Sequence, residues 1–268
     1  MNILDKIIAA KRTEVDEKKK RVPVDQLKET ARYQSPCNSL VTSLMKTGAT
    51  GIIAEFKRRS PSKGVINAKA DVGYVTEAYQ NNGACGISVL TDEPFFGGSN
   101  EDLSYARSVL NIPLLRKEFI IDEYQLIEAK SIGADVILLI AACLSPQRVK
   151  ELALFAKKLG LEVLLEIHNE AELEHICDEV DIVGVNNRDL KTFIVDVNRS
   201  IELSMLIPSD KIKISESGIS DPDTILLLRQ YGFKGFLIGE TFMKEEDPAL
   251  AFSHFVHDLN QKTDETSI

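Results

Sequence analysis

No stretch of this 268-residue chain is apolar for long enough to cross a membrane. The longest such run, near 136–143, is strand-sized, against the roughly 20 residues a spanning helix requires. Signal-peptide character is also missing. Charges interrupt Ile3, Leu4, Ile7, Ile8 and Val15, leaving no continuous apolar core and no small-residue cleavage site, so this segment reads as a surface helix and the protein as cytoplasmic. Positive charge is scarce: the net charge is −9, which argues against a nucleic-acid partner, because binding a phosphate backbone needs clustered surplus Lys and Arg. The single basic run, 18–21, lies at the end of the first helix, where a solvated face would complement the helix dipole. The four cysteines, Cys37, Cys85, Cys143 and Cys177, have no paired spacing, and three sit among apolar neighbours. They read as small buried hydrophobes, neither a disulfide framework nor a zinc site. The four histidines suggest no metal either, with His254 and His257 on the surface of a C-terminal helix.

What is present is a rhythm. A short apolar run ends in polar residues, an amphipathic segment follows, then a Gly-containing turn, then the next run. The runs are 51–56, 86–90, 112–115, 136–141, 162–167, 182–185, 212–215 and 235–238. Several are entered through a glycine, at Gly83, Gly133, Gly160 and Gly232, as expected where a helix closes in the left-handed conformation. Ser145-Pro146 opens a helix with Val149, Leu152, Phe155, Ala156 and Leu159 on one face, and Ser220-Asp221-Pro222 opens another. Apolar runs alternating with helices predict βαβ units and a parallel sheet. Eight units fit a closed (β/α)8 TIM barrel of the α/β class better than an open doubly wound sheet, and no GxGxxG follows the first strand. The expected organisation is one domain over 1–268, with residues 1–48 a helical extension packed on one mouth or side; no low-complexity segment or linker suggests a second domain.

In a barrel, chemistry belongs where the strands run out into their following loops. The first run ends in Glu55-Phe56-Lys57 and the third in Arg116-Lys117-Glu118-Phe119. The fifth closes on Glu166, the sixth on Asn186 with Arg188 soon after, the seventh on Ser215-Glu216-Ser217-Gly218 and the eighth on Gly239-Glu240. Singly, each is only the place where the chain meets solvent. Jointly, they would converge on one pocket, where ionisable groups shift one another's pKa values and do acid–base work. Backbone N–H groups at Ser217-Gly218 and Gly239-Glu240 stand after strands 7 and 8, where barrels commonly bind phosphate; a tight turn is the dull alternative for each glycine. The residues therefore point to an enzyme acting on a small phosphorylated substrate, without metal or redox cofactor. A monomer or weak homo-oligomer is the expected state, although no residue specifies it.

With those residues aligned, the chain resembles the indole-3-glycerol phosphate synthase family of tryptophan biosynthesis from its N-terminal helices to strand 8. The resemblance is carried by IAEFKRRSPSKG (53–64), SVLTDEPFFGGS (88–99), PLLRKEF (113–119), LLEIHN (164–169), VGVNNRDL (183–190), SESGI (215–219) and FLIGE (236–240). It implies ring closure of 1-(2-carboxyphenylamino)-1-deoxyribulose 5-phosphate to indole-3-glycerol phosphate, with loss of carbon dioxide and water. It implies Lys117 as general acid on the ketone oxygen, Glu166 as base or proton shuttle, and Glu55 and Asn186 as orienting groups. Lys57, Ser60 and Arg188 would meet the carboxylate or the phosphate, Phe96, Phe119 and Leu190 would bound the aromatic ring, and Glu216 would lie near the hydroxyls. Ser217, Gly218, Gly239 and Glu240 would hold the phosphate through backbone N–H. Two departures stand out: Glu240 where some relatives have Ser, so that its carboxylate must point away from the phosphate, and Val72 where many have Pro. The rival readings are a sugar-phosphate isomerase, a Schiff-base aldolase using Lys117, which borohydride trapping would reveal, and a ligand-binding barrel without turnover.

Overall fold

The apolar runs are buried along nearly their whole length, and because successive side chains of a strand point to opposite faces of the sheet, each run supplies two cores at once. The computed structural model describes residues 3–189 and 192–265. Its strands are β1 (Ile52–Phe56), β2 (Gly86–Leu90), β3 (Leu114–Lys117), β4 (Val136–Ile140), β5 (Glu162–Ile167), β6 (Ile182–Asn186), β7 (Ile212–Glu216) and β8 (Gly235–Ile238). They pair in parallel in sequence order, and β8 closes on β1 with Ile53 opposite Leu237. One set of residues, including Ile52, Ala54, Phe56, Leu114, Leu165 and Val183, packs against the surrounding helices. The alternate set, including Ile53, Leu115, Leu138, Leu164, Ile182, Ile214 and Leu237, fills the barrel. Glu55, Lys117, Glu166, Asn186 and Glu216 share the parity of the second set, so the pleat alone turns all five into the barrel at its C-terminal mouth.

The apolar runs predict these strands closely, with one instructive exception. The third was expected at 112–115 and is found at Leu114–Lys117. Pro113 has no N–H for a ladder, and the Leu114 N–H donates to the Asp135 carboxylate at the foot of the barrel (2.8 Å). Arg116 then prolongs the strand although it is charged, because its fully buried guanidinium points outward and each of its three nitrogens is hydrogen bonded. It donates to Thr91 Oγ1, the Gln125 carbonyl, Asn100 Oδ1 and Glu128 Oε2. The glycines expected to end helices, Gly83, Gly133, Gly160 and Gly232, all have positive φ.

The helices are α1 (Ile3–Arg21), α2 (Val24–Lys28), α3 (Ala31–Gln34), α4 (Leu40–Met45), α5 (Val72–Asn81), α6 (Glu93–Phe96) and α7 (Asn100–Val109). After them come α8 (Glu123–Ile132), α9 (Pro146–Lys158), α10 (Asn198–Ser204), α11 (Pro222–Gln230), α12 (Glu240–Met243) and α13 (Pro248–Glu265). Among the described residues no helix is long and apolar enough to cross a membrane. The helices opened by Ser145-Pro146 and Asp221-Pro222 start where expected, each capped by the named side chain.

The segment ahead of β1 reaches both ends of the barrel. At the bottom α4 inserts Leu40 and Leu44 into the barrel core, and Glu162 accepts from Ser39 Oγ and from the Leu40 and Val41 N–H groups (2.5, 2.8 and 3.1 Å). At the top α1 lies beside the mouth, pinned by a lysine that hydropathy did not single out. Lys11 is only 1% exposed, and its Nζ pairs with Glu14 (2.6 Å), Asp92 (3.0 Å) and Glu118 (3.0 Å). Burial alone would lower its pKa, but Glu118, Asp92 and Glu14 outweigh it and raise the pKa, so Lys11 stays charged. The basic run at 18–21 is solvent-facing as expected, with 19–21 exposed, and it adds ion pairs to its neighbours. Lys18 pairs with Glu14 (2.9 Å), and Lys19 reaches Asp122 at the N-cap of α8 (2.7 Å).

Replacing Lys11 leaves Asp92 and Glu118 buried without their cation. Lys11→Ala is expected to destabilise the fold by about 3 kcal/mol or more in urea unfolding; an unchanged midpoint would show that α1 is not anchored there.

Candidate active site

At the C-terminal mouth lies a cavity of about 530 Å³, with Leu138, Ile140 and Leu237 among its apolar lining. Glu55, Lys117, Glu166, Asn186 and Glu216 all face it. Lys117 from β3 is central, its Nζ donating to Glu166 Oε2 of β5 and Glu216 Oε2 of β7, both at 2.7 Å. Asn186 from β6 donates its amide to Glu166 Oε1 (3.1 Å), and its own Oδ1 accepts from the Arg188 N–H (3.0 Å). On the other side, Lys57 Nζ meets Glu55 Oε1 at 2.5 Å, and Ser88 Oγ donates to Glu55 Oε2.

The electrostatics follow from two carboxylates sharing one buried ammonium. Burial disfavours the charged lysine, but Glu166, Glu216 and Glu55 together outweigh it and hold the Lys117 pKa far above its ordinary value. Burial also works against both glutamates. For Glu166, Lys117 and His168 reverse it, and the carboxyl is held well below its ordinary range. For Glu216, burial wins over Lys117, helped by the repulsion of Glu166, and the pKa is pushed up to about 7. A pair of interacting carboxylates whose environments separate their pKa values is the arrangement that general acid–base chemistry requires.

Around this polar floor stand a hydrophobic wall and an anion-facing rim. Asp92 caps α6 by accepting from the Phe95 and Phe96 N–H groups (3.0 and 3.2 Å). That cap presents the Phe96 ring to Phe119, with centroids 5.9 Å apart. Ser60 lies in a small hairpin, Arg59–Ser60 against Gly64–Val65, and its Oγ accepts from the Lys63 N–H (3.2 Å). Ser217 has φ +69°, rare for a residue with a Cβ, and Gly218 follows at +78°; the Asn187 amide holds the Ser217 carbonyl (3.0 Å). Gly239 is the N-cap of α12 and leaves no room for a side chain, since an added Cβ would fall 2.8 Å from Glu55 Oε1. The Glu240 carboxylate was expected to turn away from this rim. It instead pairs with Arg188 (3.1 Å) and Lys63 (3.2 Å), occupying cations that an incoming phosphate would seek.

All of the residues singled out from sequence line this mouth except Leu190, which lies outside the described residues. Several further lining residues were missed. Ile3, Leu4 and Ile7 of α1 belong to the wall, as do Lys63, Phe193 and Val195. The periodicity of α1 shows its apolar face but not what that face covers. His168, just behind Glu166, was passed over with the other histidines, although it shares the inward parity of 164 and 166.

Comparison with known proteins gives the family. The sequence model of the family described as indole-3-glycerol phosphate synthase matches residues 4–255. An indole-3-glycerol phosphate synthase from Bacteroides thetaiotaomicron is 49% identical over 255 residues, covering 95% of this chain and 98% of that protein. One from Polaromonas is 42% identical over 256 residues, covering 94% and 97%, and one from Acinetobacter baumannii 41% over 253, covering 94% of each. Among solved structures, 3-hexulose-6-phosphate synthase from Salmonella typhimurium superposes with a TM-score of 0.61 at 12% identity over 79% of this chain and 99% of that one. The tryptophan synthase alpha subunit from Legionella pneumophila gives 0.61 at 12% identity over 85% and 99%. At that identity these two speak for the barrel alone.

Gly184 of β6 tests how tightly the floor is fitted. A Cβ there would lie 2.2 Å from Glu216 Oε1 and 3.1 Å from Leu164 Cδ1, forcing Glu216 off Lys117. Gly184→Ala is expected to lower kcat by about two orders of magnitude with the circular dichroism spectrum unchanged, as for a reacting group displaced by an ångström. Wild-type kcat would show that Glu216 needs no fixed position.

Proposed function

The chain belongs to the indole-3-glycerol phosphate synthase family, and from that premise we propose how its mouth carries out the family's reaction. The substrate is 1-(2-carboxyphenylamino)-1-deoxyribulose 5-phosphate; the products are indole-3-glycerol phosphate, carbon dioxide and water. The aromatic carbon bearing the carboxylate attacks the sugar ketone, and the ketone oxygen becomes an alkoxide. Lys117 protonates it. A strongly held ammonium proton still transfers, because an alkoxide is far more basic than the amine left behind. Loss of carbon dioxide restores the aromatic ring. Departure of the new hydroxyl as water then needs a proton delivered and another removed, the removal falling to Glu166. With the substrate carboxylate ionised, ring closure and dehydration each take up one proton and the last step releases one, so a turnover consumes one proton.

The observation that carries this reading is the Lys117 ammonium held between Glu166 and Glu216 inside a cavity bounded by Phe96 and Phe119. Glu55 and Asn186 orient the pair, and Glu216 faces the sugar hydroxyls. The two phenylalanines bound the anthranilate ring, a role Leu190 would share. Lys57, Ser60 and Arg188 answer the substrate's carboxylate and phosphate. Backbone N–H groups at Ser217, Gly218, Gly239 and Glu240 receive the phosphate, and positive φ at Ser217 and Gly218 supports the concave turn this requires. A cytoplasmic location and a monomeric or weakly associating chain belong to the same proposal.

The chain contains no tryptophan, so indole fluorescence appearing in a reaction mixture reports product alone. Wild-type protein is expected to generate that emission from the anilino-ribulose phosphate, and Lys117→Ala to lose about three orders of magnitude in kcat while still binding product, the scale of losing a general acid. A Lys117→Ala enzyme near the wild-type rate would overturn the assignment. Glu240→Ser should release Arg188 and Lys63 and lower KM by about threefold, a surface-scale ion-pair effect; a raised KM would show that the carboxylate assists binding.

A further inference from the structure

Two glutamates flank Lys117 at the same 2.7 Å, and that symmetry does not decide which one removes the final proton. The residue that breaks it is His168. Its side chain is 7% exposed and is not part of the cavity lining, so it stands behind Glu166 and away from the substrate. Its Nε2 lies 3.3 Å from Glu166 Oε1, at ion-pair distance though not aligned for a hydrogen bond. Its Nδ1 lies 3.2 Å from Glu172 Oε2, and its backbone N–H donates to the same oxygen at 2.7 Å. A carboxylate oxygen faces each ring nitrogen, and a neutral imidazole has only one N–H to offer. The arrangement suits an imidazolium.

We propose that His168 is a positioning residue for this reaction, a cation fixed behind Glu166 that makes Glu166, and not Glu216, the carboxylate serving as base beside Lys117. The inference rests on the roles assigned above to Lys117 and Glu166. When Lys117 gives its proton to the ketone oxygen, both glutamates lose their shared cation. Among the described residues Glu216 has no second ion-pair partner, whereas Glu166 keeps His168. Glu166 therefore remains a stabilised anion able to take the later proton, whereas Glu216 is left without a paired cation.

The surroundings agree. The charged groups acting on His168 are Glu166 near the end of β5 and Glu172 on the turn Glu170–His175. The same two carboxylates, with burial, raise the pKa of the Cys143 thiol on the turn after β4. His175 is occupied with the Leu144 and Glu172 carbonyls. Burial alone would lower the His168 pKa, but Glu166 and Glu172 raise it to about 9. Its charge is thus complete at neutral pH and is lost as pH rises through that value.

The test pairs a variant with a measurement on the unaltered enzyme. His168→Asn keeps a polar side chain and removes the charge. It should lower kcat at pH 7 about tenfold, leave KM within about threefold, and move the acid limb of the kcat profile up by about one pH unit. Nitrogen-15 NMR of the wild-type imidazole should show both ring nitrogens protonated at pH 7.5. A neutral ring at that pH overturns the proposal, whether or not the variant folds. A slower variant whose acid limb does not move also overturns it, since that marks a merely structural role. Glu166→Gln separates the two levels: wild-type turnover in that variant defeats the assignment of Glu166 itself. An inactive Glu166→Gln beside an unaltered His168→Asn profile defeats only the role of His168.

Discussion

An ammonium group buried between two carboxylates is the interaction on which the mouth of this barrel depends. Each charge alone would be expelled from so dry a place or neutralised by a shift in its pKa. Together Lys117, Glu166 and Glu216 are compatible with burial, but only while β3, β5 and β7 hold them within hydrogen-bonding distance. The closed sheet provides that rigidity, and its pleat provides the direction. The same triad explains why the mouth is fitted so closely: no side chain fits at Gly184 without meeting Glu216, and none at Gly239 without meeting Glu55.

The residues around Lys117 show how one strand serves three layers. Arg116 turns outward and ties the strand to α8 through Glu128 and to α7 through Asn100. Lys117 turns inward to the cavity between Glu166 and Glu216. Glu118 accepts from Thr91 Oγ1 and pairs with Lys11, joining the strand end to α1. Because Asp92 binds Lys11 through one oxygen and caps the turn carrying Phe96 through the other, the helix that walls the pocket and the ring that lines it share one anchor. The packing of α1 and the placement of the aromatic wall therefore depend on the same buried carboxylate.

Much of this was legible in the sequence. Strand positions followed from apolar runs bounded by glycine and proline, and the inward set at the strand ends followed from parity. The limits have physical causes. Arg116 masked the true extent of β3, because hydropathy cannot distinguish a solvated guanidinium from one buried with a partner at each nitrogen. Lys11 was unremarkable for the same reason: its burial depends on Asp92 and Glu118, distant in sequence. Amphipathicity marked the apolar face of α1 but not the mouth it covers. The pairing of Glu240 with Arg188 and Lys63 was not legible, because both cations come from other loops. His168 was considered only as a possible metal ligand, and the two carboxylates at its ring nitrogens are what distinguish it.

The central claim is that Lys117 enters the reaction as a charged acid, kept so by its carboxylate neighbours against the pull of burial. The direct measurement is an NMR titration of the Lys117 side-chain nitrogen in the substrate-free enzyme. The account predicts an ammonium signal that persists beyond pH 10.5, the ordinary value for lysine. Deprotonation near neutral pH, the outcome if burial prevailed, would contradict it.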